Sequence, residues 1–142
     1  PEDDLVFAGD YLKGTGYEAA KRFLSLPSPP TAIFSLNDYM AFGVYDALME
    51  QGVRVPEDMA LLGFNDIELA SLKMVGLSTI SQKKYTLGSM AVRRLMERIE
   101  GAQPGREWIL EPELIIRKSC GYALSMSHGG LASGESRRGG EN

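Results

Sequence analysis

The sequence predicts an α/β fold: a mostly parallel sheet with flanking helices. Two observations carry this. Short apolar runs alternate with stretches of helical period, the pattern of βαβ units. The chain of 142 residues with 44% hydrophobic content is also of a size and composition suited to one domain with a real core.

The elements follow in order. Leu5-Val6-Phe7-Ala8 has the continuous apolar character of a strand buried in a parallel sheet. Thr15-Gly16-Tyr17-Glu18 has the form of a capping box at the head of a helix. Tyr17, Ala20, Phe23 and Leu24 then recur at helical spacing until Pro27, Pro29 and Pro30 stop it. Ala32-Ile33-Phe34 reads as the next strand. Asn37-Asp38 offers two capping side chains to a helix whose apolar stripe is Met40, Val44, Ala47 and Leu48, with Gly52 placed for a left-handed cap.

Pro56-Glu57-Asp58 is a turn, and Ala60-Leu61-Leu62-Gly63-Phe64 is a third buried strand. Leu77-Ser78-Thr79-Ile80 is a shorter extended piece. Lys84 to Glu100 is a helix with Leu87, Ala91, Leu95 and Ile99 on one face and Gly101 past its end. Trp108 to Leu110 and Leu114 to Ile116 read as strands split by Pro112, with Trp108 as a packing anchor. From Ser125 to Asn142 the Gly/Ser-rich composition predicts a tail without stable structure, leaving 1–124 as the folded domain.

In open parallel sheets, ligands bind beyond the carboxyl ends of the strands. That rule selects three loops: Gly9-Asp10-Tyr11, Leu36-Asn37-Asp38 and Phe64-Asn65-Asp66. The Tyr11 ring can stack on the apolar face of a sugar or on a base, or simply cover the sheet end. The Asn37 amide can donate to and accept from ligand hydroxyls, or cap the following helix. Asp38 reads as the structural partner in that loop. Asn65 and Asp66 bring an amide and a carboxylate to the end of the third strand.

Other function classes find little support. The net charge of −4 and pI near 5.0 argue against phosphate contact by this chain. The basic pairs Lys83-Lys84, Arg93-Arg94 and Arg137-Arg138 read as solvated faces or tail. The single histidine, His128, falls in the expected tail, so ordered residues build no Ser-His or Cys-His pair. Glu57 and Asp58 follow Pro56, where turn formation outweighs acid-base chemistry. No enzyme activity, metal or cofactor is expected. The one cysteine, Cys120, excludes an internal disulfide and suits a reducing cytoplasm. No apolar run approaches the roughly 18 residues of a membrane span, so no membrane partner is expected.

Four ordered segments carry a resemblance. Pro30-Thr31-Ala32-Ile33-Phe34 with Asn37-Asp38 and Met40-Ala41-Phe42-Gly43 is one. Val55-Pro56-Glu57-Asp58-Met59-Ala60-Leu61-Leu62-Gly63-Phe64-Asn65-Asp66 is the second and most distinctive. Leu77-Ser78-Thr79-Ile80 and Glu113-Leu114-Ile115-Ile116-Arg117-Lys118-Ser119 complete the set. Together, from about Leu5 to Gly121, they resemble the sensor domain of LacI/GalR-type transcriptional regulators.

The resemblance implies a periplasmic-binding-protein-like (type I) fold of two α/β subdomains with a ligand between them. This chain supplies mostly the C-terminal subdomain, and the start at Pro1 reads as that of a fragment. The resemblance also implies a small-molecule effector, a sugar or sugar derivative, held by Tyr11, Asn37, Asn65 and Asp66. DNA is contacted only through an N-terminal helix-turn-helix that this chain does not contain. A homodimer is implied, through Ala41, Tyr45 and the segment Glu68 to Leu72. The helix from Lys84 to Glu100 crosses toward the other subdomain, so its apolar face is expected to lie exposed here.

The chain departs from the family at Asn65, where an aspartate is common. A neutral residue there implies weaker binding of simple sugars, or a ligand that offers its own acceptors. The alternative within the same fold is the sugar-binding protein of a transport system, against which Val55-Pro56-Glu57-Asp58 and Ile116-Arg117-Lys118-Ser119 favour the regulator branch.

Overall fold

A computed structural model of the protein describes residues 2–101 and 107–129. The order of elements is α1 (Lys13–Leu24), β1 (Ala32–Phe34), α2 (Asp38–Glu50), β2 (Ala60–Phe64), β3 (Ser78–Ser81), α3 (Lys84–Ile99), β4 (Glu113–Ile115) and α4 (Tyr122–Gly129). The strands form one sheet in the order β1-β2-β3-β4. The first three are parallel and β4 runs antiparallel to β3, with Ile80 opposite Leu114.

The core lies between one face of this sheet and the α1–α2 pair. Ile33 of β1 and Leu61 of β2 point under α2, which buries Met40, Ala41, Val44, Ala47 and Leu48 at helical spacing. The helix α1 adds Ala19, Ala20 and Phe23 to the same cluster. In contrast to the two-sided burial expected of these strands, β2 alternates: Leu61 and Gly63 are buried, while Ala60, Leu62 and Phe64 are half-buried. A sheet covered by helices on one face shows this period of two.

Several sequence expectations need correction. Leu5 to Ala8 is not a strand: Glu2–Leu5 forms a short 3-10 turn, and residues 6–10 have no regular structure. Instead of pairing with β1, this segment stands off across a cavity of about 620 Å³ that it lines together with Ala32 and Phe34. Phe7 packs at the edge of the core, with the Arg22 guanidinium 5.9 Å from its ring. The capping box at Thr15 is not formed, because α1 begins at Lys13 and Thr15 is already inside it. Trp108 to Leu110 is irregular, and among the described residues β4 is the only strand beside β3 on that edge. Trp108 anchors on α3, its ring 4.9 Å from the Arg94 guanidinium, instead of on the last strands.

The segment expected to lack structure overlaps α4, which carries the backbone through Gly129; the remainder, residues 130–142 with Arg137-Arg138, lies outside the described residues. Ala41 has no exposed surface, so it cannot contribute to a contact between subunits. The helix α3 holds no buried residue; Leu87, Leu95 and Ile99 all lie exposed, as its lack of neighbours implied. Among the described residues no helix is long and apolar enough to cross a membrane.

What sets α1 on α2 is a pair of glycines. A Cβ on Gly16 would overlap the Met40 carbonyl, and one on Gly43 would overlap the Lys13 carbonyl. Two backbones therefore touch where most helix pairs are held 8–10 Å apart by side chains. Gly14, two residues earlier, has nothing within 4 Å of such a Cβ. Gly16→Ala is expected to lower stability by about 2 kcal/mol through overpacking. Gly14→Ala is expected to raise it by about 0.5 kcal/mol, because alanine reduces the entropy lost on helix formation. Urea midpoints of the two variants check both signs.

Candidate functional site

The three loops selected by sequence lie at the carboxyl ends of the strands or, for the first, at the head of α1. In the first, Asp10 organises the backbone. Its carboxylate accepts from the Leu12 N–H at 3.0 Å and from the Thr15 hydroxyl at 2.7 Å. The Thr15 bond, and then the Leu12 bond, hold the Asp10 carboxyl below its ordinary pKa, since both donors favour the charged form. The next residue, Tyr11, takes a left-handed conformation with φ of 67° and is 61% exposed.

Asn37 ties that loop to the second one. Its Oδ1 accepts from the Met40 N–H at 2.7 Å, capping α2, and its Nδ2 donates to the Tyr11 carbonyl at 2.8 Å. The capping reading of this residue is therefore realised in its amide. The cap is formed, and one N–H and one lone pair remain for anything bound beside Tyr11.

Asp38 is fully buried at the first turn of α2, where the helix dipole favours a negative charge. Its Oδ1 accepts from the Thr79 hydroxyl at 2.6 Å and its Oδ2 from the Ile67 N–H at 2.8 Å. It thereby joins α2 to β3 and to the loop after β2. Sequence reasoning gave Asp38 a structural part, but nothing in sequence named Thr79 or Ile67 as its partners.

The third loop is the most constrained. Asn65 and Asp66 both have positive φ, 104° and 49°, an arrangement that costs roughly 1–3 kcal/mol per non-glycine residue and persists only where surroundings enforce it. The enforcing contacts come from β3 and its flanks. The Asn65 N–H donates to the Ile80 carbonyl at 2.9 Å, and the Asp66 N–H reaches the Thr79 hydroxyl at 3.3 Å. The Lys84 ammonium donates to the Asp66 carbonyl at 2.6 Å and lies 3.4 Å from that of Asn65. Arg117, just past β4, holds Asp66 Oδ1 at 2.8 Å while also donating to the Leu77 carbonyl. Asn65 Nδ2 donates to Gln82 Oε1 at 3.2 Å. Among the described residues, no protein donor reaches Asn65 Oδ1 or Asp66 Oδ2.

The hydrogen bonds thus link Tyr11 to Asn37 and, through Asp38 and Thr79, connect the second loop to Asp66. Arg117, Lys84 and Gln82 were missed in sequence as site residues. Arg117 stood in a quoted landmark, but its partner is 51 residues away, and no local pattern announces such a pair. Glu57 and Asp58 stay outside this constellation. Asp58 receives a two-point bond from the Arg54 side chain, at 2.7 and 2.6 Å, and a third from the Arg54 N–H. The Arg54 side chain, then its backbone N–H, lowers the Asp58 pKa to about 2. That is a charged turn clamp, not a proton donor at neutral pH. Among the described residues no cluster of histidine, cysteine or acidic side chains could hold a metal ion.

Two outcomes follow from these contacts. Asp38→Ala leaves the Thr79 hydroxyl and Ile67 N–H without acceptors and is expected to cost about 3 kcal/mol or more, read as the shift in urea midpoint. For Asp58, the folded value of about 2 lies below the ordinary 3.8. The pair's contribution to stability is therefore present above the ordinary value and is lost as pH falls toward 2. Arg54→Ala is expected to return the Asp58 carboxyl midpoint to the ordinary carboxylate range in a carbon-13 NMR titration.

The chain was compared with known proteins. Residues 2–120 match the family model described as periplasmic binding protein-like domain. Over 118 residues, covering 80% of this chain, it is 45% identical to the HTH-type transcriptional repressor PurR of Haemophilus influenzae strain PittEE. It covers 35% of that protein, so it spans about a third of the length of such curated relatives. The crystal structure of a LacI family transcriptional regulator from Enterococcus faecium with bound ribose superposes with a TM-score of 0.67 at 32% identity, over 77% of this chain and 40% of that one. The lac repressor dimer bound to operator and the anti-inducer ONPF superposes with a TM-score of 0.73 at 32% identity, over 79% and 34%. These relatives are transcriptional regulators. The chain belongs to the periplasmic binding protein-like domain family, and within it to the sensor domains of LacI/GalR-type transcriptional regulators.

Proposed function

We propose that this chain is the effector-binding part of a cytoplasmic, homodimeric LacI-family repressor, and that its effector is a small polar ring, a sugar or sugar derivative. The observation that supports this reading is an exposed aromatic on one of the strand-end loops and unfilled acceptors on another. Tyr11 offers a ring face, and Asn65 Oδ1 and Asp66 Oδ2 lie on a loop whose left-handed backbone is enforced from beneath. A ring that stacks on an aromatic and donates hydroxyl hydrogens to acceptors at its rim is a sugar's chemistry. Asn37 adds one donor and one acceptor beside Tyr11.

The ligand acts by preferring one arrangement of two subdomains, which biases a DNA-binding segment outside this chain. The homodimer reading rests on the exposed Leu69, Leu72 and Met74, next to Tyr45, whose hydroxyl reaches the Met74 carbonyl at 3.3 Å. Ala41 has no part in that surface.

Calorimetric titration of the 142-residue chain with D-ribose, lactose and adenine tests the proposal. Ribose is expected to bind, and Tyr11→Ala to weaken it about fivefold or more, equivalent to roughly 1 kcal/mol of stacking. Tighter binding of adenine makes the effector a base instead of a sugar. No heat from any of the three at millimolar concentration sinks the effector reading.

A further inference from the structure

We infer that the cavity beside β1 is an acceptor slot for one further strand, an extended apolar segment supplied by polypeptide outside residues 2–129. The unpaired backbone of β1 is the reason. Towards β2, the Thr31 carbonyl accepts from the Ala60 N–H and the Ser35 N–H donates to the Leu62 carbonyl, with Ile33 opposite Leu61 between them. Ladder-bonding residues alternate along a strand, so Ala32 and Phe34 turn their N–H and carbonyl groups to the other edge. No described residue bonds them there, and β1 is the outermost strand of the sheet. That edge borders the cavity, which runs along Ala32 to Leu36.

The opposite wall is held off by contacts of its own. Asp4 pairs with Arg22 at 3.7 Å, the Arg22 guanidinium lies over the Phe7 ring, and Asp10 accepts from Leu12 and Thr15. These contacts tie residues 4–10 to α1 and its head, not to β1. Gly16, Ala19 and Phe23 of α1 give the cavity an apolar floor. At about 3.3 Å per residue, residues 32–36 extend roughly 17 Å, so 620 Å³ along them has a section on the order of 40 Å². One strand, about 4.8 Å from its neighbours in a layer about 10 Å deep, has a comparable section. A helix seated there leaves the Ala32 and Phe34 groups unpaired, whereas strand addition pairs them. The chain's own residues 130–142 are rich in glycine and charge and lack the apolar run this needs. The curated relatives, of which this chain spans about a third, carry ample further polypeptide to supply it. The inference does not depend on the effector.

Amide hydrogen exchange of the 142-residue chain, followed by nitrogen-15 NMR, reads the slot. In the chain alone, the Ala32 and Phe34 amides are expected to exchange about tenfold or more faster than that of Ser35, which is bonded to Leu62. The probe is the peptide acetyl-Lys-Val-Ala-Val-Ala-Val-Lys-amide. At saturation it is expected to slow the Ala32 and Phe34 amides by about tenfold or more. The same peptide with proline at its centre lacks a ladder donor and is expected to leave both fast. Val6→Asp, which puts a charge on an exposed wall of the slot, is expected to weaken peptide binding about fivefold or more at an unchanged urea midpoint. Ala32 and Phe34 amides already slow in a monomeric chain overturn the inference, since Leu5 to Ala8 then closes the gap. Slowing that rises with chain concentration, alongside dimers in sedimentation, overturns it in favour of a second copy. No slowing by the peptide, equal slowing by its proline form, or unchanged binding in Val6→Asp overturns it as well.

Discussion

One buried carboxylate holds the upper half of this domain together. Asp38 has no exposed surface, and its two oxygens are shared between the Thr79 hydroxyl and the Ile67 N–H. An ionised group in such a place is tolerable only when its lone pairs are filled by donors, here assisted by the N-terminus of α2. The demand propagates into the sequence. A Cβ on Gly63 would overlap Asp38 Oδ1 and meet the Leu77 side chain at 3.0 Å, so the middle of an apolar strand has to be a glycine. The bend that follows is shaped by the same anchor, because Ile67 must turn its N–H inward directly after Asn65 and Asp66.

The opposite end of the sheet uses a second buried polar group in the same manner. Ser119 has no exposed surface; its hydroxyl donates to the Leu61 carbonyl at 2.7 Å and accepts from the Ser78 N–H at 2.8 Å. Its own N–H goes to the Gly76 carbonyl and its carbonyl to the Leu61 N–H. It therefore supplies the edge groups of β2 and β3 before those strands pair with each other. Strands of three to five residues have few ladder bonds to lose. Buried polar groups at both ends, each fully partnered, fix their register at little entropic cost.

How much of this was legible in sequence depends on the range of the interaction. β1, α2, β2 and α3 were placed within a residue or two, because their signals are local: apolar period, a capping Asn37, and Gly52 and Gly101 in left-handed positions with φ of 71° and 91°. Leu5 to Ala8 failed because the segment stands off from the open edge of β1 across the cavity, and an apolar run makes a strand only where it joins a ladder. Thr15 failed because α1 begins two residues earlier, at Lys13, and the Thr15 hydroxyl is taken up by Asp10 and the Leu12 carbonyl. In the candidate site, strand ends pointed to loops that the hydrogen bonds join to one another. The residues that hold those loops, Thr79, Gln82, Lys84 and Arg117, come from 13 to 51 residues away and carry no local signature.

The two Asn-Asp pairs show why residue type alone could not divide structure from function here. After β1, Asn37 is extended at φ −153° and leads straight into a helix, so its amide caps the helix and the following aspartate is driven into the core. After β2, Asn65 and Asp66 are both left-handed, and no helix begins until the short turn at Glu68. The same dipeptide there has no capping duty, and each side chain keeps an acceptor unfilled. The difference lies in the backbone that Asp38, Thr79 and Lys84 impose. Asp38 is consumed in building the scaffold while Asn37 caps α2 and keeps one N–H and one lone pair, and the Asp38 bond to the Ile67 N–H ties down the residue that follows the second pair.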